Sequence, residues 1–139
     1  MLEFLQNNWL LVVGLALVAG VLFKGTLMLR IYRVGRADPA AAVNLINRGN
    51  ARVLDVREDS EWQQGHIAGA IHIPLGQLSG RMQELEAYKG GDSPLLVACR
   101  SGNRSATAAV QLRKAGFESV YNLEGGTMAW QQAGMPLES

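Results

Sequence analysis

The sequence predicts an α/β domain with a mainly parallel central sheet flanked by helices, preceded by one transmembrane helix. From Asp38 onward, short apolar runs alternate with helical segments that end at glycine, a pattern typical of strand–helix–strand units. Residues 9–23 carry neither a charge nor a polar side chain. Four of the five charged residues up to Arg36 are basic, whereas the remainder holds nine basic and eleven acidic residues. The two parts are therefore expected to lie in different solvents.

The apolar segment is predicted to cross a membrane once, over residues 9–29, after a short tail of residues 1–8. Its apolar residues surround the helix axis without forming a stripe, as expected for a helix in lipid. At 1.5 Å per residue the predicted span is about 31 Å long, which matches a hydrocarbon core of about 30 Å. Lys24 would extend its ammonium group toward the headgroups, and Trp9 would lie at the other interface.

Two other interpretations of this segment remain open. A secretory signal peptide would start with basic residues, but Glu3 is the only charged side chain before the apolar run. A buried core helix is unusual at the extreme N-terminus. Residues 30–37 are predicted to form a basic juxtamembrane linker. Because the basic residues follow the segment, the positive-inside rule predicts a single-pass protein of the plasma (inner) membrane with its domain in the cytoplasm.

The domain is predicted to span residues 38–139. Asp38 and Pro39 match the N-cap and first position of a helix that continues to Arg48 and stops at Gly49. The further predicted elements, in order, are a strand over 52–56, a helical turn over 60–65, a strand over 70–73, a helix over 75–88, a strand over 95–98, a helix over 105–114, a strand around 120–121 and a helix over 126–132.

The chain contains one cysteine, Cys99, which directly follows the predicted strand over residues 95–98. Parallel sheets place ligand sites at this end of their strands, beside the N-terminus of the next helix. The loop amides, the helix dipole and the charges of Arg100 and Arg104 are all expected to lower the pKa of the thiol. Gly102 would let the loop curl tightly. The alternative, a buried cysteine that acts as a small apolar residue, fits this polar loop poorly.

The composition also limits the cofactors and partners. A single cysteine excludes an intramolecular disulfide and a multi-cysteine metal site, and the chain has only two histidines. We therefore expect no metal and no cofactor. The net charge of +1 gives no reason to expect binding to nucleic acid.

Four motifs occur in a fixed order along the domain. They are LDVRE at residues 54–58, GHIAGA at 65–70 with a following Ile-Pro pair, CRSGNRS at 99–105, and LEGG at 123–126 with Trp130. Together they resemble the single-domain rhodanese family of thiosulfate sulfurtransferases over most of residues 38–135. The resemblance implies that Cys99 accepts a sulfur atom from a donor such as thiosulfate, becomes a persulfide, and passes the sulfur to a thiol or cyanide-like acceptor.

The same resemblance assigns roles to residues around the cysteine. It makes Cys99 the catalytic residue and implies that the rest of its loop binds the substrate: Arg100, Ser101, Gly102, Asn103, Arg104 and Ser105. Asp55 and Arg57 are expected to form a structural ion pair or turn contact, and His66 is expected to be a loop histidine rather than a general base. His72 is predicted to lie on the surface, and the acidic residues 58–61 to form a solvated face.

Two other functions compete with sulfur transfer as interpretations of the sequence. Tyrosine-phosphatase-like loops place five residues between cysteine and arginine, whereas four separate Cys99 from Arg104, and the tighter loop favours a single sulfur atom. The second rival is a membrane-tethered interaction module of rhodanese shape that binds a membrane protein. Ala16 and Gly20 form a small-xxx-small pair that would let another helix approach. The predicted partners are therefore a sulfur-containing anion, a thiophilic acceptor, membrane lipid and, in the second case, a membrane protein.

Overall fold

Five parallel strands form one sheet, in the order β1-β5-β4-β2-β3. The computed structural model describes every residue from Met1 to Ser139. The strands are β1 (Gly35–Ala37), β2 (Arg52–Asp55), β3 (Ile71–His72), β4 (Leu95–Ala98) and β5 (Val120–Leu123). Helices cover both faces of the sheet. The predicted α/β class with a mainly parallel sheet is confirmed.

Six α-helices and two 3₁₀ helices connect and flank the strands. The α-helices are α1 (Leu2–Asn7), α2 (Trp9–Ile31), α3 (Pro39–Asn47), α4 (Asp59–Gln64), α5 (Asn103–Lys114) and α6 (Gly126–Gln132), and the 3₁₀ helices are Leu75–Gly80 and Met82–Tyr88. As predicted, Asp38 caps α3: its Oδ1 accepts a hydrogen bond of 2.8 Å from the amide of Ala41, and Pro39 occupies the first turn.

The central strand β4 explains how the two layers of core are built. All four of its residues are buried, and successive side chains point to opposite faces. Leu95 and Val97 join a cluster that includes α5 and the 3₁₀ helices, whereas Leu96 and Ala98 join a smaller cluster with α3 and α6. A strand covered on both faces needs apolar residues at every position, which accounts for its continuous apolar run.

Two predictions about local structure are wrong. Within the predicted linker 30–37, Gly35–Ala37 forms β1, which pairs with Tyr121–Leu123 at the edge of the sheet. Three residues with an arginine at the centre carry no apolar run, so pairing with β5 rather than local propensity defines this strand. The helix predicted over 75–88 is two 3₁₀ helices instead. Its first half contains two glycines, which disfavour a continuous α-helix.

The N-terminal apolar helix α2 has 23 residues and is long and apolar enough to cross a membrane. Its last turn packs on the domain rather than facing outward. Leu29 is buried in the same cluster as α5, and the carbonyl of Tyr32 accepts a hydrogen bond of 2.8 Å from Nε of Arg113. The ammonium of Lys114 lies 5.0 Å above the ring of Tyr32. One apolar helix at the N-terminus fits either a membrane anchor or a signal sequence.

Candidate active site

Cys99 lies at the carboxyl end of β4, where its side chain is completely buried. The amide of Gly102 donates a hydrogen bond to Sγ over 3.1 Å, and Oγ of Ser105 lies 3.3 Å from the same sulfur. Gly102 has φ +100°, a left-handed conformation that favours glycine and turns the chain into α5. The loop therefore curls around the sulfur and directs hydrogen-bond donors at it.

Burial by itself raises the pKa of the Cys99 thiol, but these donors together lower it below its ordinary value. Burial has this effect because it disfavours the charged thiolate. The hydroxyl of Ser105 and the amides of Ser105, Gly102 and Ser101 outweigh burial by stabilising the negative sulfur. A thiolate is the nucleophilic form of cysteine, so the site favours the reactive species.

A buried asparagine on β5 completes the hydrogen bonds behind the sulfur. Ser105 Oγ donates to Oδ1 of Asn122 over 2.5 Å, and Nδ2 of Asn122 donates to the carbonyl of Gly102 over 3.1 Å. Sequence reasoning missed Asn122. The signal was an amide residue within an otherwise apolar strand, because a polar side chain on the core face of a sheet requires a partner.

The N-terminus of α6 holds the carbonyl groups of the loop. The amide of Thr127 donates to the carbonyl of Cys99 over 2.8 Å, and the amide of Met128 donates to the carbonyl of Arg100 over 3.1 Å. Gly126 has φ +60°, and a Cβ on it would come within 2.4 Å of both carbonyl groups. With its carbonyls bonded to α6, the loop is free to turn its amides toward the sulfur.

Arg104 is paired with a carboxylate from another part of the chain. Its two terminal nitrogens donate to the two carboxylate oxygens of Glu61 over 2.6 and 2.8 Å. The hydrogen bonds from Arg104 lower the pKa of Glu61 to about 2, although partial burial opposes the shift. Glu61 therefore belongs to the site and not to a solvated acidic face, which corrects the prediction for this residue. Arg100, Ser101 and Asn103 are exposed on the loop.

Asp55 and Arg57 form a buried ion pair at the end of β2. Nη2 of Arg57 lies 2.7 Å from Oδ2 of Asp55, and their side chains are 6% and 1% exposed. The same nitrogen donates to the carbonyl of Gly65 over 2.7 Å. The pair thus ties β2 to the end of α4, the helix that carries Glu61, and holds that helix beside the cysteine loop.

The two histidines both stack on Trp62. The ring of His66 lies 3.6 Å from the indole and that of His72 lies 4.6 Å from it, both nearly parallel to it. His66 Nδ1 lies 3.1 Å from the Trp62 carbonyl, and His72 Nε2 lies 2.7 Å from the carbonyl of Arg57. The prediction of a surface position for His72 is wrong, because this contact and the stack half-bury it. His66 is not among the hydrogen-bond partners of Cys99.

Comparison with known proteins matches most of the domain. A family model described as a rhodanese-like domain matches residues 38–133. The thiosulfate sulfurtransferase GlpE of Vibrio cholerae is 33% identical over 102 residues, which cover 73% of this chain and 92% of that protein. The crystal structure of a rhodanese-related protein from Thermoplasma volcanium has a TM-score of 0.65 and 35% identity, covering 75% of this chain and 97% of that structure.

Other curated relatives are longer than the matched region. The uncharacterized protein YqhL of Bacillus subtilis is 44% identical over 80 residues, which cover 58% of this chain and 60% of that protein. The chain spans 45% and 40% of two further curated relatives, at 43% and 40% identity. The similarity therefore covers a domain and not the whole length of these relatives.

Proposed function

The chain belongs to the rhodanese-like family, and on that premise we propose that it transfers sulfane sulfur from an anionic donor such as thiosulfate to a thiophilic acceptor through a persulfide on Cys99. The observation that carries the proposal is the environment of the sulfur. It is buried, it accepts a hydrogen bond from the amide of Gly102, it lies beside the hydroxyl of Ser105, and its pKa is lowered. Such a loop stabilises a negative sulfur without a metal or a separate base.

The transfer takes two steps. In the first, the Cys99 thiolate attacks the outer sulfur of thiosulfate, the sulfur–sulfur bond of the donor breaks, and sulfite leaves with the electron pair. In the second, a nucleophilic acceptor attacks the terminal sulfur of the persulfide, and the breaking bond returns its electron pair to Cys99. No electron is gained or lost overall. Because the enzyme carries the sulfur between the steps, the kinetics are expected to be ping-pong.

We also propose that α2 anchors the chain and turns the active-site edge toward the membrane. Just after the C-terminal end of α2, Tyr32 contacts Arg113 and Lys114 near the end of α5. Closer to the N-terminus of α2, Val21 and Leu22 line one groove with the residues that begin α5. Tyr32 lies eleven positions after Val21, and Lys114 lies eleven positions after Asn103, so each pair is about 16 Å apart along its helix. The two helices thus run parallel.

The direction of α2 has a consequence for the cysteine loop. The part of α2 before Val21 extends past the edge of the sheet at which α5 begins and the loop lies, and its large apolar side chains are exposed. Residues 9–20 of this part form about 18 Å of helix, which is shorter than a hydrocarbon core of about 30 Å. If they insert into the bilayer, the loop lies near the headgroups. An anchor in this position would favour an acceptor at the membrane surface over one in bulk solution.

Sulfur transfer is tested by incubating the purified full chain with thiosulfate and cyanide, beside Cys99→Ser. We expect thiocyanate from the wild type alone, and one added sulfur on Cys99 in the intact mass after thiosulfate. Thiocyanate production that survives the substitution would overturn the proposal. If neither thiocyanate nor bound sulfur forms, the interaction module that binds a membrane protein becomes the better interpretation.

Anchoring is tested on the protein from cell membranes. We expect the full-length mass and resistance to extraction at alkaline pH, and labelling of a cysteine introduced at Ser139, in a Cys99→Ser background, only after the cells are opened. A shortened mass with the apolar helix missing would identify a signal sequence. Labelling from outside intact cells would contradict the cytoplasmic orientation.

A further inference from the structure

The hydroxyl of Ser105 has one hydrogen but two buried partners. Its Oγ lies 2.5 Å from Oδ1 of Asn122 and 3.3 Å from Sγ of Cys99. The orientation of the Asn122 amide is fixed, because Nδ2 donates to the carbonyl of Gly102. Oδ1 can only accept, so the hydroxyl hydrogen points at Asn122, and Oγ accepts from the neutral thiol of Cys99.

Ionisation of Cys99 must change this arrangement. Once the thiol proton has left to solvent, the negative sulfur can accept a further hydrogen bond beside the one from the amide of Gly102, and the hydroxyl of Ser105 is the side-chain donor within reach. The hydroxyl then turns from Asn122 to the sulfur, and its hydrogen stays on Oγ throughout. Oδ1 of Asn122 loses its hydrogen bond at that moment, in a place where it is buried.

We propose that Asn122 is a positioning residue that controls Cys99 through Ser105, by holding the hydroxyl hydrogen while the cysteine is a thiol and releasing it when the thiolate forms. The proposal deepens the proposed function, because it concerns the same nucleophile. It assigns Asn122 a restraining effect: its carbonyl oxygen competes with the sulfur for one hydrogen. The competition keeps the resting cysteine protonated more often than its loop alone would.

The backbone of the loop depends less on Asn122 than the hydroxyl does. The carbonyl of Gly102 also accepts from the amide of Ala106 over 3.2 Å, so it keeps one hydrogen bond when the Asn122 side chain is replaced. The amide of Gly102 therefore remains directed at the sulfur. The effect of replacing Asn122 is expected to pass mainly through Ser105.

The charged groups around the loop do not explain such an effect. They are paired with one another or exposed: Arg104 with Glu61, Arg57 with Asp55, Arg36 with Glu124, and Arg100 in solvent. None of them contacts Asn122 or Ser105 by a hydrogen bond. Their contribution is common to every variant compared below.

The test measures the rate at which iodoacetamide alkylates Cys99 in the full chain as a function of pH. Asn122→Leu is close in size and cannot accept a hydrogen bond. We expect it to lower the pH midpoint of alkylation by about half a pH unit to one pH unit, which corresponds to about 3- to 10-fold more thiolate at any pH below the midpoint. Asn122→Asp, a stronger and charged acceptor, is expected to raise the midpoint. Ser105→Ala is also expected to raise it.

The double variant Ser105→Ala with Asn122→Leu separates positioning from simple structural support. If Asn122 acts through the hydroxyl, Asn122→Leu has no further effect on the midpoint once Ser105 is alanine. An equal downward shift in both backgrounds, or an upward shift in the single variant, would overturn the proposal. Thermal unfolding shows whether each variant is folded. If Asn122→Leu does not fold, Asn122→Ala, which also lacks an acceptor, replaces it in both backgrounds.

Alkylation reports the thiolate itself and needs no sulfur donor. A failure of the proposed sulfur transfer would leave the alkylation midpoints unchanged. A failure of the Asn122 proposal would leave thiocyanate production intact in the wild type. The two failures are therefore distinguishable.

Discussion

The two sides of the cysteine loop stabilise it by different means. On the inner side, Cys99, Ser105 and Asn122 are buried and are joined by uncharged hydrogen bonds. On the outer side, Arg104 and Glu61 form an ion pair whose side chains are 36% and 26% exposed. The sulfur is thus stabilised chiefly by oriented dipoles, whereas the nearest charges mostly satisfy each other. Arg104 can bind an anionic sulfur donor only if its N–H groups are shared between that anion and the carboxylate of Glu61.

The largest expected effect comes from the buried ion pair that supports the outer side. Arg57→Leu would leave the carboxylate of Asp55 buried without its partner, at a cost of about 3 to 5 kcal/mol in the free energy of unfolding. Urea unfolding of the full chain in detergent measures this. The double variant Asp55→Leu with Arg57→Leu is the matched control and is expected to recover part of the loss. If Arg57→Leu is as stable as the wild type, the ion pair does not contribute to the free energy of unfolding.

Gly126→Ala tests the inner side, through the contact that orients the loop. A Cβ at this position meets the carbonyl groups of Cys99 and Arg100, and φ is +60°. We expect a loss of about 2 to 4 kcal/mol and of most sulfur transfer, from steric overlap and backbone strain together. Gly134→Ala is the control: φ is +84°, but nothing lies within 4 Å of the new Cβ. It is expected to cost about 1 kcal/mol and to leave sulfur transfer unchanged.

The inner side was also the more predictable of the two. The apolar run of β4, the position of Cys99 after it and the glycine of the loop are neighbours in sequence, so a local pattern contained them. Glu61 lies 43 residues from Arg104 and β1 pairs with a strand far along the chain, so neither partner is visible in any short window. Asn122 was missed for a related reason, since its partners come from the loop and α5. Local propensity predicts where helices and strands form. Which polar residues pair over long sequence distances depends on how those helices and strands pack, and a short sequence window does not contain that information.

A smaller effect is expected from Glu61→Gln, which releases Arg104 from its charged partner. If Arg104 binds the anionic donor, the KM for thiosulfate falls by about 2- to 5-fold while kcat changes little, because more of the guanidinium is then available to the anion. Steady-state kinetics at fixed ionic strength measures this. Arg104→Gln is the opposing variant and is expected to raise the KM. A KM that is the same in all three proteins would remove Arg104 from donor binding.

The smallest expected effect is on stability at acid pH. The pKa of Glu61 is about 2 in the folded chain, below its ordinary value of 4.5, because Arg104 donates hydrogen bonds to the carboxylate. The contribution of the pair is therefore fully present above pH 4.5 and is lost as the pH falls from there toward 2. For a partly exposed pair it amounts to about 1 kcal/mol or less.

This contribution can be isolated by comparing the wild type with Glu61→Gln. The difference in their free energies of unfolding is expected to be constant above pH 4.5 and to shrink as the pH falls toward 2, since glutamine does not titrate. A difference that stays constant down to pH 2 would mean that the carboxylate does not depend on Arg104 in solution. The outer side of the loop would then be held by Asp55 and Arg57 alone, and Arg104 could bind a substrate without first breaking its hydrogen bonds to Glu61.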